Sequence, residues 1–404
     1  MTERKHMEQN RIENAINKSK RYIDSLTIDS KVNRPKDIVS SPEKFFTWDN
    51  EKRNYLQFGL LFDWSYYTGV VMEGLYDIYE ADKTAGGKYL DYIEEYFDSL
   101  LGKDENGNWQ LVFERAGYVD CHGADCYKTA ALLCRMAGMK ESYRAVAEML
   151  YKHLTDTDYI NSLGCNIPSE YTGKEFGHNY WHCWKKPPKY KIWLDGIYML
   201  QPFIAHQAAL LGDEAQLSLV NERLDWVADT LLAPCGMYYH AANSKEDVCG
   251  FFWLRAMGWY GMAMVDVMEV LPEKYIEGRK RALKLFADGM LKYVHENGLW
   301  ANLADREVTE TNRLETSGTA MMCYTLLKGV RNGWLDASYR EAGIRAFVAM
   351  AEEKLDENGL HDIYLCASAS NTNNYEKEEF YMTDEGKGSG PFIMAYSEML
   401  YLQA

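Results

Sequence analysis

The sequence predicts an all-α chain folded as an (α/α)6 barrel, with six inner helices ringed by six outer ones. Three observations predict it. Along 404 residues, mostly apolar helical segments alternate with amphipathic ones, six of each. A helix that is apolar all round is buried, and an amphipathic one lies outside it. Runs of strand-like alternation are lacking, apart from a short hairpin expected around 359–383. Finally, the connections are short from inner to outer helix and long from outer to the next inner helix.

Residues 8–26 place apolar and charged positions at helical spacing, and 27–56, with Pro35 and Pro42, is expected to wrap as a loop. An apolar helix follows over 59–80. After the Gly86-Gly87 break, an amphipathic one covers 88–101. The pairing recurs as 123–137 with 140–154, 195–211 with 213–232, 253–271 with 274–295, and 316–331 with 336–355. A last apolar helix fits 388–402, and the N-terminal helix is left to pair with it. Proline lacks an N–H and clashes with the preceding turn, so Pro202 should kink the 195–211 helix or delay its start. No linker interrupts the pattern, so residues 1–404 are expected to form a single domain.

The short links are Gly138-Met139, Gly212, Leu271-Pro272-Glu273 and Asn332-Gly333-Trp334-Leu335. The long ones are 102–122, 155–194, 233–252, 296–315 and 356–387. Long loops in a compact domain usually carry function. The site is therefore expected where the inner helices begin, with their positive dipole ends converging on one mouth.

Composition narrows what that mouth can take. The formal net charge of −16 argues against nucleic acid, whose phosphates need a basic surface. The 11 Trp and 30 Tyr suit a sugar cleft, and equally a large helical core. The nine Cys include no C-x-x-C pair. Cys121, Cys126 and Cys134 match zinc spacing only loosely, so no metal is expected. The N-terminus is charged throughout, without a signal-peptide core, and no apolar run reaches about 18 residues. A reduced, cytoplasmic protein without a membrane partner is expected, as a monomer or homo-oligomer.

The candidate residues sit at the helix starts. Lys191-Ile-Trp-Leu-Asp-Gly-Ile-Tyr-Met-Leu200 sets Asp195 among apolar and aromatic neighbours. That placement is costly unless the carboxylate is paired, capping or chemical. Asp120, in Tyr118-Val119-Asp120, is a second candidate, and Asp125 competes with it. Either role also admits a helix cap. Two carboxylates can act as acid and base if their environments push their pKa values apart or they share a proton. Arg255, inside a Trp-rich helix, needs a partner: a carboxylate-bearing ligand or a structural mate such as Glu315. Trp64 and Tyr66 open the first inner helix, and Thr316 and Ser317 open the fifth. Trp259 follows Arg255 by one helical turn. His182 and His240 lie in the long loops and have ordinary hydrogen-bonded loop roles as the alternative.

The segments WSYYTG (64–69), YVD (118–120), WHCWKKPPKYKIWLDGIYM (181–199), FWLRAMGWYGMAMVDVMEVLP (252–272), LETSGTAMMCYTLLKGVRNGWL (314–335) and GSGPFIMAYSEM (388–399) resemble glycoside hydrolase family 105. That family comprises the unsaturated rhamnogalacturonyl hydrolases. More distantly, the segments resemble family 88, the unsaturated glucuronyl hydrolases. The likeness runs from about residue 60 to 400, and the WLDG and RAMGW segments together are its specific part.

The resemblance implies an (α/α)6 barrel and a small oligosaccharide substrate carrying a 4,5-unsaturated uronate at its non-reducing end. It implies hydration of the C4=C5 bond, after which the hemiketal opens and releases the remaining sugar. It assigns Asp195 to protonating C4 and helping deliver water to C5, with Asp120 as second carboxylate. It places Arg255 and Trp259 near the uronate, and Trp64, Tyr66, His182 and His240 around the pocket. It implies no metal or other cofactor.

Departures touch the mouth. Ala242-Asn243 stands where Trp-Asp is usual, Lys191 replaces a common Gln, and Ala301-Asn302 replaces Tyr-Gln. Lys185, Lys186, Lys189 and Lys191 make the loop before Asp195 basic, pointing to an acidic or sulfated leaving sugar. The competing readings are a two-carboxylate glycosidase on saturated sugars, an epimerase using His182 and His240, and a non-catalytic carbohydrate-binding protein.

Overall fold

The computed structural model describes residues 2–30, 64–111, 124–155, 190, 192–369 and 371–403. Among these it contains twelve α-helices and only short strands. The helices alternate in burial as their sequences do. The inner series is α2 (Tyr66–Ala81), α4 (Ala130–Arg135, preceded by a 3-10 turn at Ala124–Tyr127), α6 (Asp195–Leu211), α8 (Leu254–Met268), α10 (Thr316–Arg331) and α12 (Gly386–Tyr401). The outer series is α1 (Thr2–Leu26), α3 (Gly87–Leu100), α5 (Glu141–Thr155), α7 (Glu214–Leu231), α9 (Glu273–Leu291) and α11 (Tyr339–Ala349).

Every residue of α8 is buried. In α3, by contrast, burial follows a helical stripe of Tyr89, Tyr92, Ile93, Tyr96, Phe97 and Leu100, leaving the other face to solvent. The inner helices pack in order: α2 on α4, α4 on α6, α6 on α8, α8 on α10, α10 on α12, and α12 back on α2. Close approach at that last contact depends on small residues. A Cβ on Gly390 would stand 2.7 Å from Val70 Cγ1, and one on Gly74 would stand 3.1 Å from the Gly390 carbonyl. Helix α1 lies against α11 and α12, the partner expected for it.

Helix ends follow local chemistry. Ser65 caps α2 through the Thr68 amide, and Asp213 caps α7 through the Gln216 amide. Gly212 ends α6 at φ 69°, a left-handed conformation that glycine adopts without a Cβ penalty. Pro202 does not delay α6. The helix begins at Asp195 and runs through the proline. The expected helix over 123–137 is shorter, a 3-10 turn followed by six α-helical residues. The expected 336–355 helix ends in a π-helical turn, Met350–Lys354.

The short strands lie in the connections leading to inner helices. β1 (Leu101–Lys103) pairs with β2 (Trp109–Leu111). β3 (Ile192–Trp193), β4 (Ala241–Ser244) and β5 (Asp247–Val248) form one antiparallel sheet. β6 (Leu355–Asp356) pairs with β7 (Gly359–Leu360). β8 (Ile363–Tyr364) pairs with β9 (Tyr381–Met382), inside the hairpin expected over 359–383. No helix among the described residues is long and apolar enough to cross a membrane.

Candidate active site

The β3–β4 pairing builds the site. Ile192 and Trp193 pair with Ala242 and Ala241, and the Leu194 amide donates to the His240 carbonyl at 2.9 Å. This register delivers Asp195, the first residue of α6, beside the His240 ring. The N-cap position belongs to Leu194, which has no capping side chain. Of the two roles left open for Asp195, the cap is not seen: its Oδ2 is buried and accepts no hydrogen bond among the described residues.

His240 is fully buried, and its Nε2 lies 2.9 Å from Asp195 Oδ2. The alignment falls short of a hydrogen bond, so Nε2 also lacks a hydrogen-bond partner among the described residues. Aromatic rings hold the imidazole. Trp193 meets it edge-on at 5.1 Å, Trp253 lies at 4.8 Å, and the Tyr375 hydroxyl is 2.6 Å from Nδ1.

Asp125 lies in the 3-10 turn before α4, which packs against the Asp195 helix α6. Burial pushes its carboxyl up to about 6, and the nearby Asp195 charge adds to the rise. Lys387 opposes it. Lys387 belongs to the first turn of α12 and is paired with Glu385 at 2.5 Å. Tyr66 stands among these groups. Burial holds its hydroxyl well above the usual phenol range, Asp125 and Glu385 reinforce this, and Arg255 works against it. One edge of Tyr66 meets Trp259 at 6.4 Å, and Trp259 is stacked on Tyr198 at 4.9 Å.

The structure thus brings together Asp195, His240, Tyr66 and Trp259. It places the other predicted residues differently. Arg255 is buried, with no ion pair to Glu315. Its guanidinium donates to Ser317 Oγ at 3.3 Å, to the Leu365 carbonyl at 2.9 Å and to the Tyr364 carbonyl. Ser317 in turn donates to Glu315 at 2.5 Å, and Thr316 donates to the His361 carbonyl at 2.6 Å. Both hydroxyls are buried and engaged in supporting the start of α10. Trp64 is buried with its ring against Phe97 of α3 at 6.4 Å. Asp120 and His182 lie outside the described residues.

Glu315 is a helix cap, accepting from the Ser317 and Gly318 amides and from the Tyr364 amide. Two contributors were not expected from sequence, Tyr375 and the Lys387–Glu385 pair. Tyr375 lies in a polar loop without periodicity, and Lys387 reads as an ordinary first-turn residue. Among the described residues no group of three or more His, Cys, Asp or Glu is placed to hold a metal ion. A separate cleft between α1 and the β6–β7 turn, lined by Lys18, Arg21, Tyr22 and Asp384 among others, contains none of these site residues.

Asp125 thus holds its proton to an unusually high pH in the field of Asp195, and a buried imidazole lies against Asp195. Environments that separate paired carboxyls in this way supply acid and base to one reaction.

Comparison with known proteins gives four relevant likenesses. The chain matches the profile described as Glycosyl Hydrolase Family 88 over residues 43–403. It is 32% identical over 195 residues to a 24.9 kDa protein in the picA locus of Rhizobium radiobacter, a match spanning 41% of this chain and 83% of that protein. It is 24% identical over 306 residues to an unsaturated 3S-rhamnoglycuronyl hydrolase of Alteromonas sp. (strain LOR), spanning 73% of this chain and 70% of that one. Among solved structures, a family 105 glycoside hydrolase from C. acetobutylicum ATCC 824 superposes with a TM-score of 0.66 at 27% identity, covering 83% of this chain and 93% of that one.

Proposed function

Because this chain belongs to Glycosyl Hydrolase Family 88, we propose that it removes a terminal 4,5-unsaturated uronic acid from short oligosaccharides by hydrating the C4=C5 bond. The observation that carries this reading is the carboxyl pair. The Asp195 charge acts on Asp125, and Asp125 retains a proton up to about pH 6. Asp125 supplies that proton, and hydration needs both an acid and a base. The protonated carboxyl gives its proton to C4. The free carboxylate takes a proton from the water whose oxygen bonds to C5. The pair ends with the one proton it began with, and the hemiketal opens and releases the remaining sugar.

In this reading Asp125 replaces Asp120 as the second carboxylate, with Tyr66 and Trp259 forming an aromatic wall. The inner and outer helices make an (α/α)6 barrel in a single domain, as the order of helix packing supports. Residence in the cytoplasm belongs to the same proposal. The described Cys134, Cys235, Cys249, Cys323 and Cys366 are free thiols, as suits a reducing compartment.

The test is a panel of unsaturated disaccharides made by polysaccharide lyases, neutral and sulfated, followed by ultraviolet absorbance. Loss of the conjugated double bond's absorbance together with sugar release is the expected result. Sugar release with the absorbance retained would assign a glycosidase acting at the anomeric carbon. No change on any member would overturn the proposal. Equal rates on neutral and sulfated members would sink the idea that the basic loop before Asp195 selects an acidic leaving sugar.

A further inference from the structure

We infer that Tyr375 is a positioning residue that fixes the tautomer of His240, and through it turns the ring's N–H toward Asp195. The inference rests on the hydrolase reading given above, but its primary observable does not require turnover.

The geometry forces a choice. A neutral imidazole carries one proton, on Nδ1 or on Nε2. Nδ1 lies 2.6 Å from the Tyr375 hydroxyl, and Nε2 lies 2.9 Å from Asp195 Oδ2. If Nδ1 carries the proton, a bare Nε2 lone pair faces Asp195 and favours its protonated form. If the Tyr375 hydroxyl donates to Nδ1, Nε2 carries the proton and its N–H dipole favours the Asp195 carboxylate. Hydrogen-bond donation toward the charged form is one of the ordinary ways a carboxyl is kept ionised. Off-line alignment weakens the hydrogen bond, but the attraction of the N–H dipole for the anion remains.

The phenol is held as a donor. Tyr375 is buried, and burial pushes its hydroxyl far above the usual range, so it keeps its proton. Its nearest competing acceptor is the Cys249 thiol, which donates its own proton toward the Phe251 carbonyl at 3.8 Å. Imidazole nitrogen is a much better acceptor than a thiol sulfur. The ring is also fixed in place. Tyr375 stacks on Phe251 with centroids 4.1 Å apart and planes within 4°. The Tyr375 carbonyl accepts from Asn302 Nδ2 at 2.8 Å, and Asn302 Oδ1 accepts from Trp253 Nε1 at 2.9 Å. Trp253 in turn lies against the same imidazole, so the aromatic wall and the tautomer-setting hydroxyl are a single assembly.

Other charged groups near the pair come from separate elements. Asp125 comes from the 3-10 turn, Lys387 and Glu385 from the start of α12, and Arg255 from the first turn of α8. Arg255 is occupied by Ser317 and backbone carbonyls, and Lys387 by Glu385. Among the described residues His240 is therefore the group in contact with Asp195 Oδ2 that can bias its proton.

The experiment uses the full-length protein labelled with 15N-histidine. The His240 ring signals are assigned by their loss in His240→Asn. The expected result in the wild type is a proton on Nε2 and an acceptor-type Nδ1. In Tyr375→Phe, which keeps the ring stacked on Phe251, the two tautomers should become mixed. A proton on Nδ1 in the wild type, or an unchanged tautomer in Tyr375→Phe, overturns the inference whether or not a substrate has been found.

Where the disaccharide panel yields turnover, the acid limb of kcat/KM in Tyr375→Phe should shift, because the N–H that His240 turns toward Asp195 is lost in part of the population. At the optimum kcat should fall about tenfold with KM unchanged. A uniform fall at all pH values, with the limb unmoved, would mark Tyr375 as a packing residue and overturn the proposal.

Discussion

The two ends of the inner helices use the same residue types to opposite effect. At the mouth, Asp125 lies in the field of a like charge, Asp195, and the Asp195 Oδ2 and His240 Nε2 atoms lack hydrogen-bond partners among the described residues, as do Asp77 Oδ2 and Asp266 Oδ2 deeper down. Deeper in the bundle, roughly 10 to 20 Å along the helices at 1.5 Å per residue, every carboxylate of a buried cluster has a cation beside it. Glu73 meets Lys128, Asp77 meets Arg135 at 2.6 Å, and Asp266 and Glu269 meet Lys328 at 2.8 and 2.9 Å. Tyr324 donates to Asp266 at 2.8 Å, and Lys128 sits 4.3 Å over the Tyr198 ring.

Burial acts on both regions, and a cation offsets it to different extents: beside Arg135, Asp77 is still pushed up to about 6. Burial works against the Asp266 carboxylate, yet Lys328 and Lys128 hold it below the usual range. Asp125, with a like charge as neighbour, is driven up. A buried charge with its partner holds helices in register. A buried charge in the field of its own kind keeps a proton in play.

The comparison breaks most sharply at Asp195. In Asp195→Asn, turnover of an unsaturated disaccharide should fall about 10³-fold, the scale of losing an acid–base group. Urea unfolding should show unchanged or slightly greater stability, because one of two like charges is gone. Activity within tenfold of wild type would remove Asp195 from the mechanism. A large loss of stability would place it among the structural pairs.

Lys328→Met should do the reverse. Removing one member of a buried ion pair leaves its partner charged and uncompensated, at a cost of about 3–5 kcal/mol. Here two carboxylates, Asp266 and Glu269, would be left. Equilibrium unfolding should show that loss, while kcat/KM at a temperature where the variant stays folded remains within about twofold of wild type. A hundredfold fall in kcat/KM with stability intact would mean the deep cluster is coupled to the chemistry. The chain of rings from Lys128 through Tyr198 and Trp259 to Tyr66 would be the route to examine.

Much of the mouth was legible in the sequence and little of the deep cluster was. Alternating apolar and amphipathic segments located the helices because burial on one face or all faces leaves a period in the sequence. The same pattern put Asp195 at the first residue of α6. That it does not cap was not legible, because whether an Asp stands at the cap or one residue later depends on the β3–β4 register. Asp125 is hard to read from sequence because a short 3-10 turn carries no periodicity of its own. Tyr375 reaches His240 across 135 residues, and Lys328 reaches Asp266 across 62. Single charges in apolar helices show that a partner is needed, not where it is. Arg255 illustrates this: its expected mate Glu315 is reached only through Ser317, and carbonyls of the 364–365 segment take the guanidinium.

The smallest expected effect tests whether the deep region is as insulated from protons as its pairing implies. His206 on α6 is held neutral: burial lowers its pKa from 6.5 to about 4, Arg135 and Lys328 add to the lowering, and Glu269 and Asp266 oppose it. In the unfolded chain it takes a proton near 6.5, so between these values the unfolded state binds more protons and stability falls as pH drops. The raised carboxyls run the other way. Asp77 and Asp125, both near 6 when folded and 3.8 when not, cost stability as pH rises through that range. The two trends partly cancel in the wild type. His206→Gln removes one of them. Relative to wild type it should therefore gain about 2 kcal/mol on moving from about pH 7 to about pH 4.5, a value reduced from 1.36 kcal/mol per unit for the partial exposure of the ring. Urea midpoints across that range check it. A variant whose stability tracks the wild type at every pH would show that His206 takes up its proton in the folded protein, and that the deep cluster is open to solvent.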